Sequence, residues 1–352
     1  MELQYFKYEL QFKRPGGTSR GVLFSKETWL LQLREGNKVG YGECGLLRGL
    51  SADDRPDYED MLRWLQTEGV NRPEIVYAAL REFPSIQMGW ETAIRSLQAS
   101  HPMVLFPSDF TEGTTGIPIN GLIWMGEKGF MKQQIKEKLD QGFRCIKLKI
   151  GALHFEDELE ILKNLRQEYD AQTLEIRVDA NGAFDSSNAL NKLNQLYGIK
   201  LHSIEQPIAK NQPDKMSVLC KNTPLPIALD EELIGVFDLA NQAELLDYIQ
   251  PQYIVLKPSF VGGFTGTEQW IRLAQERNID WWATSALESD IGLNAIAQWT
   301  ATMNTHLPQG LGTGSLYTNN FESPLEVKQA ALWYQPEAGW QPPLALKEAF
   351  AF

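Results

Sequence analysis

Polar and apolar positions alternate with a period of two through the first fifty residues. Leu3 to Phe12 alternates, Pro15-Gly16-Gly17 breaks the run, Thr28 to Leu33 alternates again, and Lys38 to Cys44 follows the turn Glu35-Gly36-Asn37. Successive strands with short turns predict an antiparallel meander. The period then lengthens, and helices are expected over Asp57–Leu65, Pro73–Glu82 and Ser85–Ser100. Residues 1–105 therefore read as an α+β unit, closed by Pro107 and the stretch Thr111 to Gly116.

Beyond that boundary strand-like and helical runs alternate. The apolar runs are Ile117–Trp124, Cys145–Ile150, Leu174–Val178, Leu201–Ile204, Pro226–Leu229, Tyr253–Leu256 and Asp280–Thr284, with Leu307–Leu311 as an eighth. Helical patterns over Glu127–Gln141, Phe155–Tyr169, Ser186–Tyr197, Thr265–Arg277 and from Ile291 separate them. Strands alternating with helices imply a parallel sheet, and seven or eight such units imply closure. The expected fold class is α/β: a (β/α)8-type, modified TIM barrel over residues 106–320, with residues 1–105 as a capping domain. Residues 321–352 carry no further unit and are expected to pack back on the cap and complete it.

Composition narrows the function classes. Lys and Arg number 33 against 45 Asp and Glu, a net charge of −12, so a phosphate backbone is repelled and nucleic acid is not an expected partner. No apolar run approaches the ~20 residues a membrane span needs, and Met1-Glu2-Leu3-Gln4 lacks the basic start of a signal peptide. Cys44, Cys145 and Cys220 are odd in number and widely spaced, which argues against a disulfide framework and for a reducing, cytoplasmic setting. The four histidines show no H-x-H or H-x-x-x-H spacing, so a metal here would be a hard cation on oxygen ligands.

Barrel enzymes carry their chemistry where strands end. In Cys145–Ile150 the apolar Ile146, Leu148 and Ile150 alternate with Lys147 and Lys149, which places both lysines inside the barrel. Inward ammoniums need balancing carboxylates. Asp179, Glu205 and Asp230 close the next three strands at spacings of 26 and 25 residues, one βα unit each, and Lys257 closes the following strand 27 residues on. Singly, each acid reads as a turn former, a surface acid or a helix cap. In phase, three carboxylates at one rim repel unless a divalent cation joins them, and all-oxygen ligation suits Mg²⁺. Lys149 and Lys257 would face each other across a metal-bound substrate. Such crowding disfavours a lysine's charged form and frees it to act as a base. The chemistry favoured is removal of a proton next to a carboxylate, with the dication stabilising the enediolate.

Lys147-Leu148-Lys149, Asp179-Ala180-Asn181, Glu205-Gln206-Pro207, Asp230-Glu231 and Lys257-Pro258, with Gly40-Tyr41-Gly42-Glu43 in the cap, resemble the enolase superfamily, muconate-lactonizing branch, over nearly the whole chain. Within it the chain is most similar to the group that dehydrates 2-succinyl-6-hydroxy-2,4-cyclohexadiene-1-carboxylate to 2-succinylbenzoate in menaquinone biosynthesis. The compact length, Thr284 to Ser289 and Gly310 to Gly314 carry that likeness, and the Asp-x-Asp pair of dipeptide epimerases is missing after the eighth strand.

The resemblance implies a carbon–oxygen lyase using Mg²⁺, with Mn²⁺ as a substitute, on a small-molecule carboxylate. It implies Asp179, Glu205 and Asp230 as metal ligands, and Lys149 as base and then acid. Lys257 would be a cation on the opposite ring face, and Lys147 a counter-charge to the substrate carboxylate. Asn181 and Glu231 would support the metal, and Ser285 and Gly312 would touch the succinyl tail. Residues Gly16–Arg20 and Leu46–Leu50 are candidate lids. Two alternatives stay open: an N-acylamino acid racemase or dipeptide epimerase using both lysines, and a non-catalytic binding barrel.

Overall fold

A computed structural model of the chain describes residues 1–18, 21–124, 126–303 and 305–350. The alternating N-terminal runs form β1 (Glu2–Thr18), β2 (Gly21–Glu35) and β3 (Lys38–Cys44), paired antiparallel in that order. The break expected at Pro15-Gly16-Gly17 does not occur. β1 runs through it, and the β1–β2 register slips between Gln11 and Gly16. That irregular stretch absorbs Pro15, which has no N–H to give a ladder.

The period-two face made of Trp29, Leu31 and Leu33 is covered by α1 (Tyr58–Thr67), α2 (Pro73–Ala79) and α3 (Pro84–Gln98) through Leu62, Val76, Ile86 and Trp90. The helix α3 lies almost in contact with the β3 backbone. A Cβ on Gly42 would fall 2.9 Å from the carbonyl carbon of Gly89, so only glycine admits this approach. The opposite face of the sheet, with Leu30 and Tyr41, is covered by Phe321, Leu346 and Phe350 of the C-terminal tail.

The second half is a parallel sheet curled into a barrel. Its strands are β5 (Gly121–Ile123), β6 (Cys145–Lys149), β7 (Glu175–Asp179), β8 (Ser203–Glu205), β9 (Ile227–Leu229), β10 (Tyr253–Leu256) and β11 (Asp280–Ala283), hydrogen-bonded in chain order after the short β4 (Ile117–Pro118). The connecting helices are α4 (Lys128–Asp140), α5 (Phe155–Glu168), α6 (Ala189–Tyr197), α7 (Pro213–Asn222), α8 (Leu239–Ile249), α9 (Pro258–Val261), α10 (Gly263–Gln275) and α11 (Asp290–Ala301). The helices α7 and α8 carry no expectation from the sequence pattern. Among the described residues no helix is long and apolar enough to cross a membrane.

The expected eighth strand at Leu307–Leu311 is not a strand. Two isolated bridges close the ring instead, Thr284 with Gly310 and Ile119 with Gln309. The Gln309 amide completes the seam: its Oε1 accepts from the Ala283 N–H at 2.7 Å. Pro308 breaks the regular pairing that a full strand would need. The tail divides: β12 (Leu325–Lys328) and β13 (Ala331–Tyr334) pair with β4 at the barrel, and the last residues pack on the cap sheet.

The Gly42 contact is testable. Gly42→Ala should destabilise the fold by about 1–3 kcal/mol, the usual range for overpacking, read as a lower urea midpoint with unchanged slope.

Candidate active site

The strand period sorts the barrel side chains. Ile146, Leu148, Ile176, Val178, Ile204, Leu229, Ile254 and Leu256 belong to the large core shared with the helices, whereas Ala228, Val255 and Trp282 form a separate small cluster inside the barrel. On the inward side the C-terminal rim carries Lys147, Lys149, Asp179, Glu205, Asp230 and Lys257, and all six are buried or nearly so.

The six form alternating ion pairs. The Lys147 ammonium lies 2.9 Å from Asp179 and 2.5 Å from Glu205. Lys149 donates to Asp179 Oδ2 at 2.6 Å and to Asn181 Oδ1 at 2.8 Å. Lys257 pairs with Asp230 and sits 5.6 Å above the Phe260 ring. Asn181 in turn donates to Glu231 Oε1 at 2.9 Å. Backbone strain accompanies this crowding. Asn181 and Gln206 follow the first two acids with φ of 43° and 39°, a region that non-glycine residues occupy at some expense. Gln206 works across strands: its Oε1 accepts from the backbone N–H of Asp230 and of Glu232, each at 3.3 Å.

Electrostatics follow from the pairing. Burial opposes charge on Asp179, yet Lys147 and Lys149 hold its carboxyl well below the ordinary range. Burial and the neighbouring Asp179 push Glu205 well above it. Burial also works against charge on Lys147 and Lys257, but the surrounding acids hold both ammoniums above the usual lysine range. Each of these two ammoniums faces carboxylates.

Asp179, Glu205 and Asp230, expected to share a dication, end successive strands at one rim, and the first two meet at the Lys147 ammonium. Among the described residues no group of three His, Cys, Asp or Glu side chains stands ready to hold a metal ion. The ammoniums lie between the carboxylates and take up their charge. The donor set nevertheless fits a hard dication. It is all oxygen. Asp179, Glu205, Asp230 and Glu231 outnumber Lys147, Lys149 and Lys257, and the buried Glu205 Oε1 has no hydrogen-bond partner among the described residues.

Above the pairs lies a cavity, open in part to solvent. Lys147, Lys149, Asn181 and Lys257 reach it, as do Ser285 and Gly312. Lys149 and Lys257 stand four strands apart around the ring, on opposite sides. Leu47 and Leu50 of one expected lid line it from the cap, and Gly16 of the other lies against its wall residue Trp124. The remainder of that second lid, Ser19 and Arg20, falls outside the described residues.

Comparison with known proteins places this arrangement. Residues 131–340 match the family model described as enolase C-terminal domain-like. The chain is 46% identical over 358 residues to an o-succinylbenzoate synthase of Desulfotalea psychrophila, covering 93% of this chain and 97% of that one. The chain belongs to the enolase superfamily. A crystal structure of MenC from Desulfotalea psychrophila superposes with a TM-score of 0.83 at 43% identity, over 95% of this chain and 99% of that one. A dipeptide epimerase from Cytophaga hutchinsonii shares the fold alone, with a TM-score of 0.82 at 19% identity, over 99% and 97% of the two chains.

As an enzyme of the enolase superfamily the chain holds pocket residues that sequence reasoning missed. Leu23, Asn120, Leu122, Trp124, Phe260, Trp282, Thr284 and Thr313 also line the cavity. Trp282 was legible: the same alternation that sends Trp281 toward Trp299 on α11 turns Trp282 inward. Its ring lies under the Arg177 guanidinium at 4.3 Å, and Arg177 is itself an inward residue between Glu175 and Asp179. Thr313 gave no signal, because only the tertiary fold brings its hydroxyl to 2.6 Å from Ser285.

Removing the shared ammonium should expose the repulsion it hides. Lys147→Met, measured by denaturant unfolding in EDTA, should lose about 3–5 kcal/mol, the range seen when one partner of a buried pair is deleted.

Proposed function

We propose that this enzyme dehydrates 2-succinyl-6-hydroxy-2,4-cyclohexadiene-1-carboxylate to 2-succinylbenzoate, as a Mg²⁺-dependent carbon–oxygen lyase of menaquinone biosynthesis acting in the cytoplasm. The observation that carries the reading is the placement of Lys149 and Lys257 on opposite sides of one cavity above a buried acid cluster. The similarity to the o-succinylbenzoate synthase of Desulfotalea psychrophila selects this reaction among those open to two such lysines. Three buried, unpaired thiols suit a reducing compartment.

The chain's own residues divide the work. Asp179, Glu205 and Asp230 would hold the dication, with Asn181 and Glu231 steadying them. When bound, the ion supplies positive charge where negative charge builds up on the substrate carboxylate. Lys147, between Asp179 and Glu205, adds a counter-charge. Lys149, oriented by Asp179 and Asn181, removes the α-proton in its neutral form. It then returns that proton to the departing hydroxide on the same face, so that water leaves and the ring becomes aromatic. Lys257 is the cation against the opposite ring face. Ser285 and Gly312 lie where the succinyl tail would extend, and the cap residues Leu47 and Leu50 keep bulk water from the ring.

The decisive experiment offers the purified protein the cyclohexadiene acid with Mg²⁺ and with EDTA, and follows the aromatic absorbance. Turnover with the metal and none with the chelator is expected; no aromatic product under either condition refutes the proposal. Lys149→Ala should lower kcat by about 10³-fold or more while circular dichroism stays unchanged, since removing an acid–base group forfeits at least that order. Asp230→Asn should weaken Mg²⁺ binding and rate together. Solvent deuterium entering the α-position of an N-acylamino acid would favour the racemase instead.

A further inference from the structure

A second cluster of buried charge lies between the cap and the barrel. Lys26 on β2 is 3% exposed, and its Nζ has no hydrogen-bond partner among the described residues. An ammonium buried in that way is unfavourable unless opposite charge stands near. Two fully buried acids stand near it: Glu43 from the cap, which accepts from the hydroxyl of Thr28 two residues along β2 at 2.7 Å, and Glu288 from the loop after β11, although burial still holds the Lys26 ammonium below the usual lysine range.

Each acid grips the barrel side of the interface. Glu43 accepts from the Ser289 and Gly292 backbone N–H groups, each at 2.9 Å, and from the Ser289 hydroxyl at 2.5 Å. Ser289 in turn caps α11. Glu288 accepts from the Ser259 hydroxyl at 2.6 Å and folds back onto the Ala286 N–H at 2.7 Å. The segment between these anchors, Ser285 to Leu287, is a wall of the cavity.

We propose that Lys26, Glu43 and Glu288 form an interdomain positioning group that holds the Ser285–Leu287 wall against the cap and sets substrate affinity without touching substrate. The kinetic half of this inference rests on the proposed dehydration. Lys26 keeps two acids, one from each domain, from repelling each other, and this balance lets Glu43 stay seated at the start of α11. Without the ammonium, the acids push the wall and the cap apart.

The test pairs hydrogen–deuterium exchange of the ligand-free chain with steady-state kinetics. Lys26→Met should speed exchange across residues 285–292 and raise KM about tenfold with kcat within about threefold, the pattern of lost uniform binding. Lys26→Met combined with Glu288→Gln removes the repulsion as well and should restore both readouts most of the way; a merely structural role would make the double variant worse than the single. Lys26→Arg, which keeps the charge, should stay near the parent. Unchanged exchange and KM in Lys26→Met, or a double variant no better than the single, overturns the proposal. If Lys26→Met does not fold, Lys26→Gln with and without Glu288→Gln is read by the same criteria. If the parent enzyme fails to turn over the cyclohexadiene acid, the dehydration falls while the exchange comparison still decides the clamp.

Discussion

One ammonium, that of Lys147, sits inside the barrel between two carboxylates on adjacent strands. Everything else at the rim is arranged around the problem this creates. Carboxylates at the ends of neighbouring parallel strands stand closer than water-free surroundings tolerate. The chain answers by alternating charge around the ring: Lys149 against Asp179, Lys147 between Asp179 and Glu205, Lys257 against Asp230. The site is therefore held together by attraction among its own side chains, and a dication would enter as a competitor for oxygens that lysines already occupy. Glu205 Oε1 is the exception, a buried oxygen with no hydrogen bond to give up.

Sheet period and unit spacing made much of this legible. Lys147, Lys149, Asp179, Glu205, Asp230 and Lys257 fall on inward positions at one βα step apart, and the structure brings all six to one rim. The pairing itself was not legible, because spacing places a side chain on a face without saying which neighbour its head group meets. Charge balance pointed to a metal among the acids, and gave no sign that the lysines also interleave with them. In the same way Pro15 looked like a strand end when judged by propensity, yet a register slip let β1 continue. Lys26 and Glu43 were hidden for another reason: they act between domains, and no local pattern records an interface.

The cap and barrel are also more deeply joined than a lid resting on a mouth. Glu43 reaches from β3 to the first turn of α11, and the tail runs from the barrel edge at β13 back to Tyr41 on the cap sheet. Helices α1–α3 and the C-terminal tail thus cover the two sides of one sheet.

The seam at Gln309 has a consequence of its own. Six joints of the ring are laced by parallel ladders, and the last is tied by single bridges and one amide side chain. A hoop parts at its thinnest tie, so sub-global opening of the barrel begins between Thr284 and Ile119. That same joint carries Gly310 and Gly312 beside the cavity. Such a joint can accept new loop sequences without unsettling the charged ring opposite.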